Sequence, residues 1–445
     1  MAVNIEIKKN GISKEITIQK IVKMKKLSYG VSDSNYILDW NKFDKYTVLF
    51  DSNCIGRGIE TSIEENCLYF RLSLPSTPTE IELFYNLTKD ICKKLKIKEF
   101  TRDEEIVSVK DINKFIELDK NTSITALKSI SSQINNGESK NFVICGALNP
   151  ITLGEREIQE IDNKLENLET LLNRLQKLDV YYASPSFYKL KNEAIIGLYF
   201  IGEEIVSVVP LDPISPFNKN NGIDVYYVAL PEYNKIKYED FINNVEKIGD
   251  YDSDHIIISL DENTINDLVS KYSIDIMTGK RNNGVLYSKT YDDGNSHLSK
   301  IKNKKLNVDE LNAYSHLTIY LRWCAEHNLL SDIVKNKYPN ILSENDLREI
   351  ICNDDIFKGK IQKCHFNKDG QSFAEYFYKF NAPSVDYYPK CVDLYAEEYF
   401  GAERYNSKEF QDEEYLFIPY SEEYYNGLAK YIDKAWEKFN NQKEQ

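Results

Sequence analysis

The apolar pattern of this chain changes character once, near residue 280, and that change limits what the chain can fold into. Up to residue 278, short alternating runs between Gly and Pro punctuation predict strands interleaved with helices, an α+β or α/β arrangement. Residues 279–307, rich in Gly, Asn, Lys and Asp, read as a linker. From Val308 onward the chain reads helical, and residues 373–439 hold twenty Phe, Tyr or Trp. That density predicts a packed aromatic core or an adhesive surface, not a disordered tail. The expected layout is an α+β unit over 1–140, a second over 141–278, the linker, and a mainly helical acidic domain over 308–440. A chain of 445 residues can bury such cores without staples.

Local signals fill in the first part. Val3 to Ile7 alternates, Asn10-Gly11 signals a hairpin, and Ile16-Thr17-Ile18 alternates again. Tyr46–Phe50, Cys67–Leu72, Val180–Tyr182, Ile195–Phe200, Ile205–Val209, Val225–Leu230 and Ile256–Leu260 read as strands. Asp212 to Pro216 reads as a loop. Thr77-Pro78-Thr79-Glu80 is a capping box with Pro at the first helical position. The apolar strand Asn141 to Leu148 ends at Asn149-Pro150, and Thr152-Leu153-Gly154-Glu155 reads as a second capping box. The shared spacing Pro-x-Thr-x-x-Glu at Pro75 and Pro150 hints at duplicated strand–helix units. Ile158, Ile161, Leu165, Leu168, Leu172 and Leu175 form a heptad seam on one long helix over 155–178. Packing on its own sheet is favoured over a homodimer contact, because a two-stranded coiled coil needs a longer run.

Charge and cysteine usage narrow the function classes. The 56 basic and 70 acidic residues leave a net charge of −14, which disfavours direct nucleic-acid binding. Residues 1–30 carry seven Lys against two Glu, whereas 371–445 carry eight basic and fifteen acidic residues. The acidic end reads as a solvated face or as a surface that docks a basic partner. The N-terminus lacks the apolar core of a signal peptide, and no run of eighteen apolar residues predicts a membrane span. Eight cysteines without a CxxC pair read as reduced core thiols, which makes the cytoplasm the expected compartment.

The expected helix Val308–Leu330 carries the most chemistry. His316, Tyr320, Trp323 and His327 share one stripe, Leu317, Leu321 and Cys324 the next, and Thr318, Arg322 and Glu326 the remaining face. The stripe reads as a hot-spot surface or as a pocket wall with two imidazoles. His316 and His327 lie about 16 Å apart along a helix, too far for one metal ion. Asp252, Asp254 and His255 cluster in sequence, as do Asp292, Asp293 and His297, and both read as solvated loops without a further ligand at usable spacing. Cys352, Cys364 and His365 lack a fourth ligand. Gly56-Arg57-Gly58 reads as a turn, without the downstream Ser-x-x-His of a forkhead-associated phosphopeptide site. GxxxxGK[ST], GxGxxG after a strand, GxSxG and HExxH are absent, so no catalytic residue, cofactor or metal is assigned.

Two resemblances follow from longer strings. Gly56-Arg57-Gly58, Arg71-Leu72-Ser73-Leu74-Pro75, Gly146-Ala147-Leu148-Asn149-Pro150 and Asp179 to Ala183 resemble an uncharacterised bacterial family, common in Firmicutes, over residues 1–290. Tyr314 to Leu317, Tyr320 to Cys324, Phe373 to Tyr376, Tyr399 to Tyr405 and Phe410 to Glu413 resemble a second uncharacterised domain over 308–440. Neither resemblance implies an active site. The aromatic, acidic C-terminal style is similar to immunity proteins of toxin systems. The leading expectation is therefore a cytosolic module that binds a basic protein as an immunity or antitoxin-like partner. Its candidate binding residues are His316, Tyr320, Arg322, Trp323, Glu326, His327, Arg404, Glu413 and Glu414. The alternative is an enzyme or small-ligand sensor centred on His316 and His327, joined by Glu375 or Arg404. A third reading places a ligand cleft between the N-terminal units.

Overall fold

Val3, Ile5 and Ile7 point one way along β1 (Ala2–Lys8) and are buried, which is the period-two signature of a strand with one face on a core. In the computed structural model, which describes residues 1–191, 193–213, 222–223, 225–344, 346–379 and 387–443, β1 lies inside an antiparallel eight-stranded sheet. Its other strands are β2 (Ser28–Ser32), β3 (Leu38–Trp40), β4 (Thr47–Asp51), β5 (Cys54–Ile63), β6 (Cys67–Ser73), β7 (Glu99–Arg102) and β8 (Glu105–Ser108). Their order is β3-β2-β4-β5-β6-β1-β7-β8. The helix Pro78–Leu95 covers one face with Ile81, Phe84, Ile91 and Leu95. It starts as its sequence signals: Pro78 opens it, and Thr77 accepts a hydrogen bond from the Glu80 amide.

Several expectations change. The second arm of the hairpin at Asn10-Gly11 is helical, because Thr17 caps Ile18–Lys25 and sends Ile18 and Ile21, three residues apart, into the core. Asn149-Pro150 does not end a segment: β9 (Phe142–Cys145) turns back antiparallel into β10 (Pro150–Leu153). Thr152 lies in that strand, so the next helix, Glu155–Ile161, starts at Gly154, whose amide donates to Glu157. The two Pro-x-Thr-x-x-Glu strings thus punctuate different local structures. The long helix over 155–178 is two helices, Glu155–Ile161 and Leu165–Gln176. Asp162 and Asn163 adopt positive φ between them, a conformation short polar side chains tolerate best. Ile158, Ile161, Leu165, Leu168, Leu172 and Leu175 are all buried in this unit's own core.

Two four-stranded mixed sheets follow. One is β11 (Tyr181–Tyr182), β14 (Ser207–Pro210), β18 (His255–Ile258) and β17 (Gly249–Asp250), in that order. The other is β12 (Ser186–Lys189), β13 (Ile195–Phe200), β15 (Val225–Leu230) and β16 (Asn234–Lys237). The expected loop at 212–216 lies in part outside the described residues, from Ile214 on.

The chain divides into two units, Met1–Leu286 and Tyr287–Gln445. The first contains both expected N-terminal regions. The expected linker is largely structured: β19 (Thr290–Asp293) pairs with β20 (Lys360–Gln362), and Gly294–Lys304 is a helix. Its polar residues form the outer face, while Leu298 and Ile301 pack on the second unit's core. That unit is mainly helical, with Ser315–Glu326, Lys368–Tyr378, Tyr388–Phe400 and Glu422–Lys443 as its longest other helices. The fold as a whole is α+β. Ser315–Glu326 is preceded by a separate 3-10 turn, Glu310–Tyr314, instead of forming one helix from Val308. Among the described residues, no helix is long and apolar enough to cross a membrane.

Candidate functional site

The segment Asp252 to His255, expected as a solvated loop, is a buried hydrogen-bond relay. It closes the tight turn between β17 and β18, and Asp252 is 2% exposed. The Asp252 carboxylate accepts from the Thr152 amide at 2.8 Å, the Asp254 amide at 3.0 Å and His255 Nδ1 at 2.7 Å. His255 Nε2 faces the Tyr182 hydroxyl at 2.9 Å. Burial raises the Tyr182 phenol far above its ordinary range, so it keeps its proton and donates to Nε2. The Nδ1–H tautomer of His255 follows, with Nδ1–H donating to the Asp252 carboxylate. Tyr182 and His255 line a cavity of about 490 Å³ in the first unit, with Asn141, Tyr199, Asp212 and Asp254 around it. A phenol on an imidazole oriented by a carboxylate can hold a ligand hydroxyl or amine and pass a proton.

A second cavity, about 730 Å³, is lined by Arg57, Glu60, Arg71 and Cys145. Val143 of β9 borders both cavities. Gly56-Arg57-Gly58 lies within β5 and is not a turn. The amides of Arg57 and Gly58 donate to Glu80 at 2.9 and 2.5 Å, and a Cβ at Gly56 would sit 2.8 Å from that carboxylate. Arg57 donates to the carbonyls of Cys145 at 3.0 Å and Pro75 at 3.2 Å. Three of the strings that carry the N-terminal resemblance thus meet in space.

The residues singled out in the second unit do not converge. Tyr320 and Trp323 are buried in the aromatic core, Trp323 donating to Asp433 at 2.8 Å. The stripe is therefore core and not surface, since nine of the twelve residues of Ser315–Glu326 are buried. His327 stacks on Trp323 at 3.7 Å and donates to its carbonyl. Arg322 lies over Tyr425 and pairs with Glu326 at 3.1 Å and Glu422 at 2.6 Å. Arg404 pairs with Glu409 at 3.0 Å, and Glu375 bonds Lys289 and Tyr291. Glu413 is buried between Lys300 at 3.0 Å and Lys304 at 2.8 Å. Glu414 is half-buried; burial, followed by the acidic neighbours Asp393, Asp412 and Glu413, raises its carboxyl. His365 spends both ring nitrogens on backbone, at Gln362 and Ile356, which removes it from any metal reading.

His316 is the exception. Its Nε2 meets Asp292 at 3.3 Å, and Asp292 meets His297 Nε2 at 3.1 Å. The sequence concealed this grouping, because His316 comes from a different helix than His297. A bulge between Thr290 and Asp292 in β19 re-aims the Asp292 side chain.

The family model described as Domain of unknown function (DUF4299) matches residues 2–268, and the one described as Domain of unknown function (DUF7832) matches residues 290–412. Two such domains are thus fused in one chain. No curated protein and no solved structure matches it.

Proposed function

We infer that this chain, which belongs to the DUF4299 family, binds a small polar molecule in the Tyr182–His255 cavity of its first unit. One observation carries the reading: the buried Asp252–His255–Tyr182 relay ends at the wall of a partly open cleft of ligand size whose lining mixes polar and apolar groups. Among the described residues that border that space are Asp212, Asp254 and, 3.5 Å from Asp254, Lys140; hydrogen-bonding groups of this kind favour a molecule bearing hydroxyl or amine groups. The test is thermal unfolding of the full-length chain and of Tyr182→Phe against a panel of sugars, polyols and amines. A compound at 100 times its Kd stabilises the native state by about 2.7 kcal/mol and raises Tm by several degrees. The shift is expected in the wild type and not in the variant. A panel that shifts neither protein, or shifts both equally, overturns the reading. Eight free cysteines support a reducing, cytoplasmic setting.

A second reading is the docking of a basic protein, as an immunity or antitoxin-like partner would do. Asp393, Glu397, Glu398, Glu403 and Asp412 are exposed, with Tyr399, 39% exposed, among them. Glu413 is a poor probe of that face, because its charge is spent on Lys300 and Lys304. Glu397→Lys with Glu398→Lys should weaken capture of a basic partner, and unchanged affinity would dispose of the idea.

A further inference from the structure

Asp292 is a carboxylate only 11% exposed whose ion-pair partners, among the described residues, are the imidazoles of His297 and His316. Buried carboxylates are ordinarily matched by Arg, Lys or a metal ion. The nearby lysines are already matched, since Lys300 and Lys304 both bind Glu413. We propose that Asp292, His297 and His316 form a three-ligand site for a divalent transition-metal ion of the zinc class.

The geometry fits that ion. One ligand atom from each residue lies within 4.8 Å of the other two. Zinc–ligand bonds of about 2.0–2.1 Å at tetrahedral angles put donor atoms about 3.3 Å apart. The two Asp292 contacts, one to each carboxylate oxygen, measure 3.1 Å from Oδ1 to His297 and 3.3 Å from Oδ2 to His316. Two imidazoles and one carboxylate suit Zn²⁺ and its first-row neighbours better than Ca²⁺ or Mg²⁺. Three protein ligands leave a fourth position for water or substrate. His297, 19% exposed, gives the ion a route in.

The surrounding hydrogen bonds point the same way. His297 Nδ1 meets the Tyr415 hydroxyl at 2.8 Å, and that hydroxyl meets Glu413 at 3.1 Å. Tyr415 donates to Glu413, so it accepts from His297 Nδ1, which turns Nε2 toward Asp292; an outer partner on Nδ1 is the usual support for a metal-bound imidazole. His316 is 4% exposed, and among the described residues its Nδ1 has no hydrogen-bond partner, so it lacks the outer support that His297 has.

The test uses the full chain, stripped with a chelator and titrated with Zn²⁺ by calorimetry and with Co²⁺ by visible absorption. The wild type should take up one ion per chain, show ligand-field bands with Co²⁺, and gain Tm with Zn²⁺. His297→Ala, at the exposed side of the cluster, should weaken Zn²⁺ at least about 100-fold and lose the Co²⁺ bands. Tyr415→Phe leaves all three ligands in place and should cost about tenfold in affinity, which keeps the test open if His297→Ala does not fold. Failure of the stripped wild type to bind stoichiometric Zn²⁺, or equal affinity in the variants, overturns the site. The cluster is then a hydrogen-bonded network without an ion.

Discussion

Removing the Asp252 carboxylate should be among the most damaging single changes in the first unit. Asp252→Ala leaves three donors without an acceptor: the buried amide of Thr152, the amide of Asp254 and Nδ1–H of His255. A hydrogen bond to a charged group contributes about 1.5–3 kcal/mol, and the three share one acceptor, so about 4 kcal/mol is the expected loss. Tyr182→Phe removes one hydroxyl and strands the His255 Nε2 lone pair, for about 1–3 kcal/mol. Because both changes act through His255, the double variant should lose less than the sum by at least about 0.5 kcal/mol. Urea unfolding of the four proteins measures the cycle, and hydrogen exchange of the segment 150–153 reports the freed Thr152 amide directly. A loss below about 1 kcal/mol for Asp252→Ala, or strictly additive effects, would refute the relay.

Three other expectations follow from the packing. Leu168→Ala empties a fully buried site and should cost about 2–5 kcal/mol without changing the oligomeric state measured by sedimentation, since the leucine seam faces this chain's own core. His365 is fully buried with both nitrogens bonded, and burial pushes its pKa down to about 4. The unfolded chain, near 6.5, then binds the proton first, so about 3 kcal/mol of stability present above pH 6.5 is lost as pH falls toward 4. Stability measured across that window should fall less steeply for His365→Gln than for the wild type. Finally, Glu413→Lys places a third cation between Lys300 and Lys304, so thermal melting should show lost stability before any partner assay is attempted.

Local signals were legible where the chemistry was local. Thr77 and Pro78 start a helix as their types require, and Val225–Leu230 is a strand over the residues its pattern marks. Where a polar pair sets the backbone, the apolar period misled: Asp162-Asn163 cuts a heptad into two helices, and Thr17 turns an alternating run into a helix. Periodicity also misjudged Ser315–Glu326, because it marks one core stripe and this helix is enclosed on nearly all sides. The two sites were illegible for a different reason. Tyr182 reaches His255 across 73 positions, and His316 reaches Asp292 from a separate helix. Only the sheet register and a bulge bring them together, and a single sequence carries no spacing signal for either.

The most direct test of the ligand reading is a crystal structure of the full chain grown with the compound that shifts its melting temperature most. The account predicts density for one molecule within hydrogen-bond distance of the Tyr182 hydroxyl, in the cavity bordered by Asn141 and Asp254. Density elsewhere, with that cavity unchanged, would contradict it.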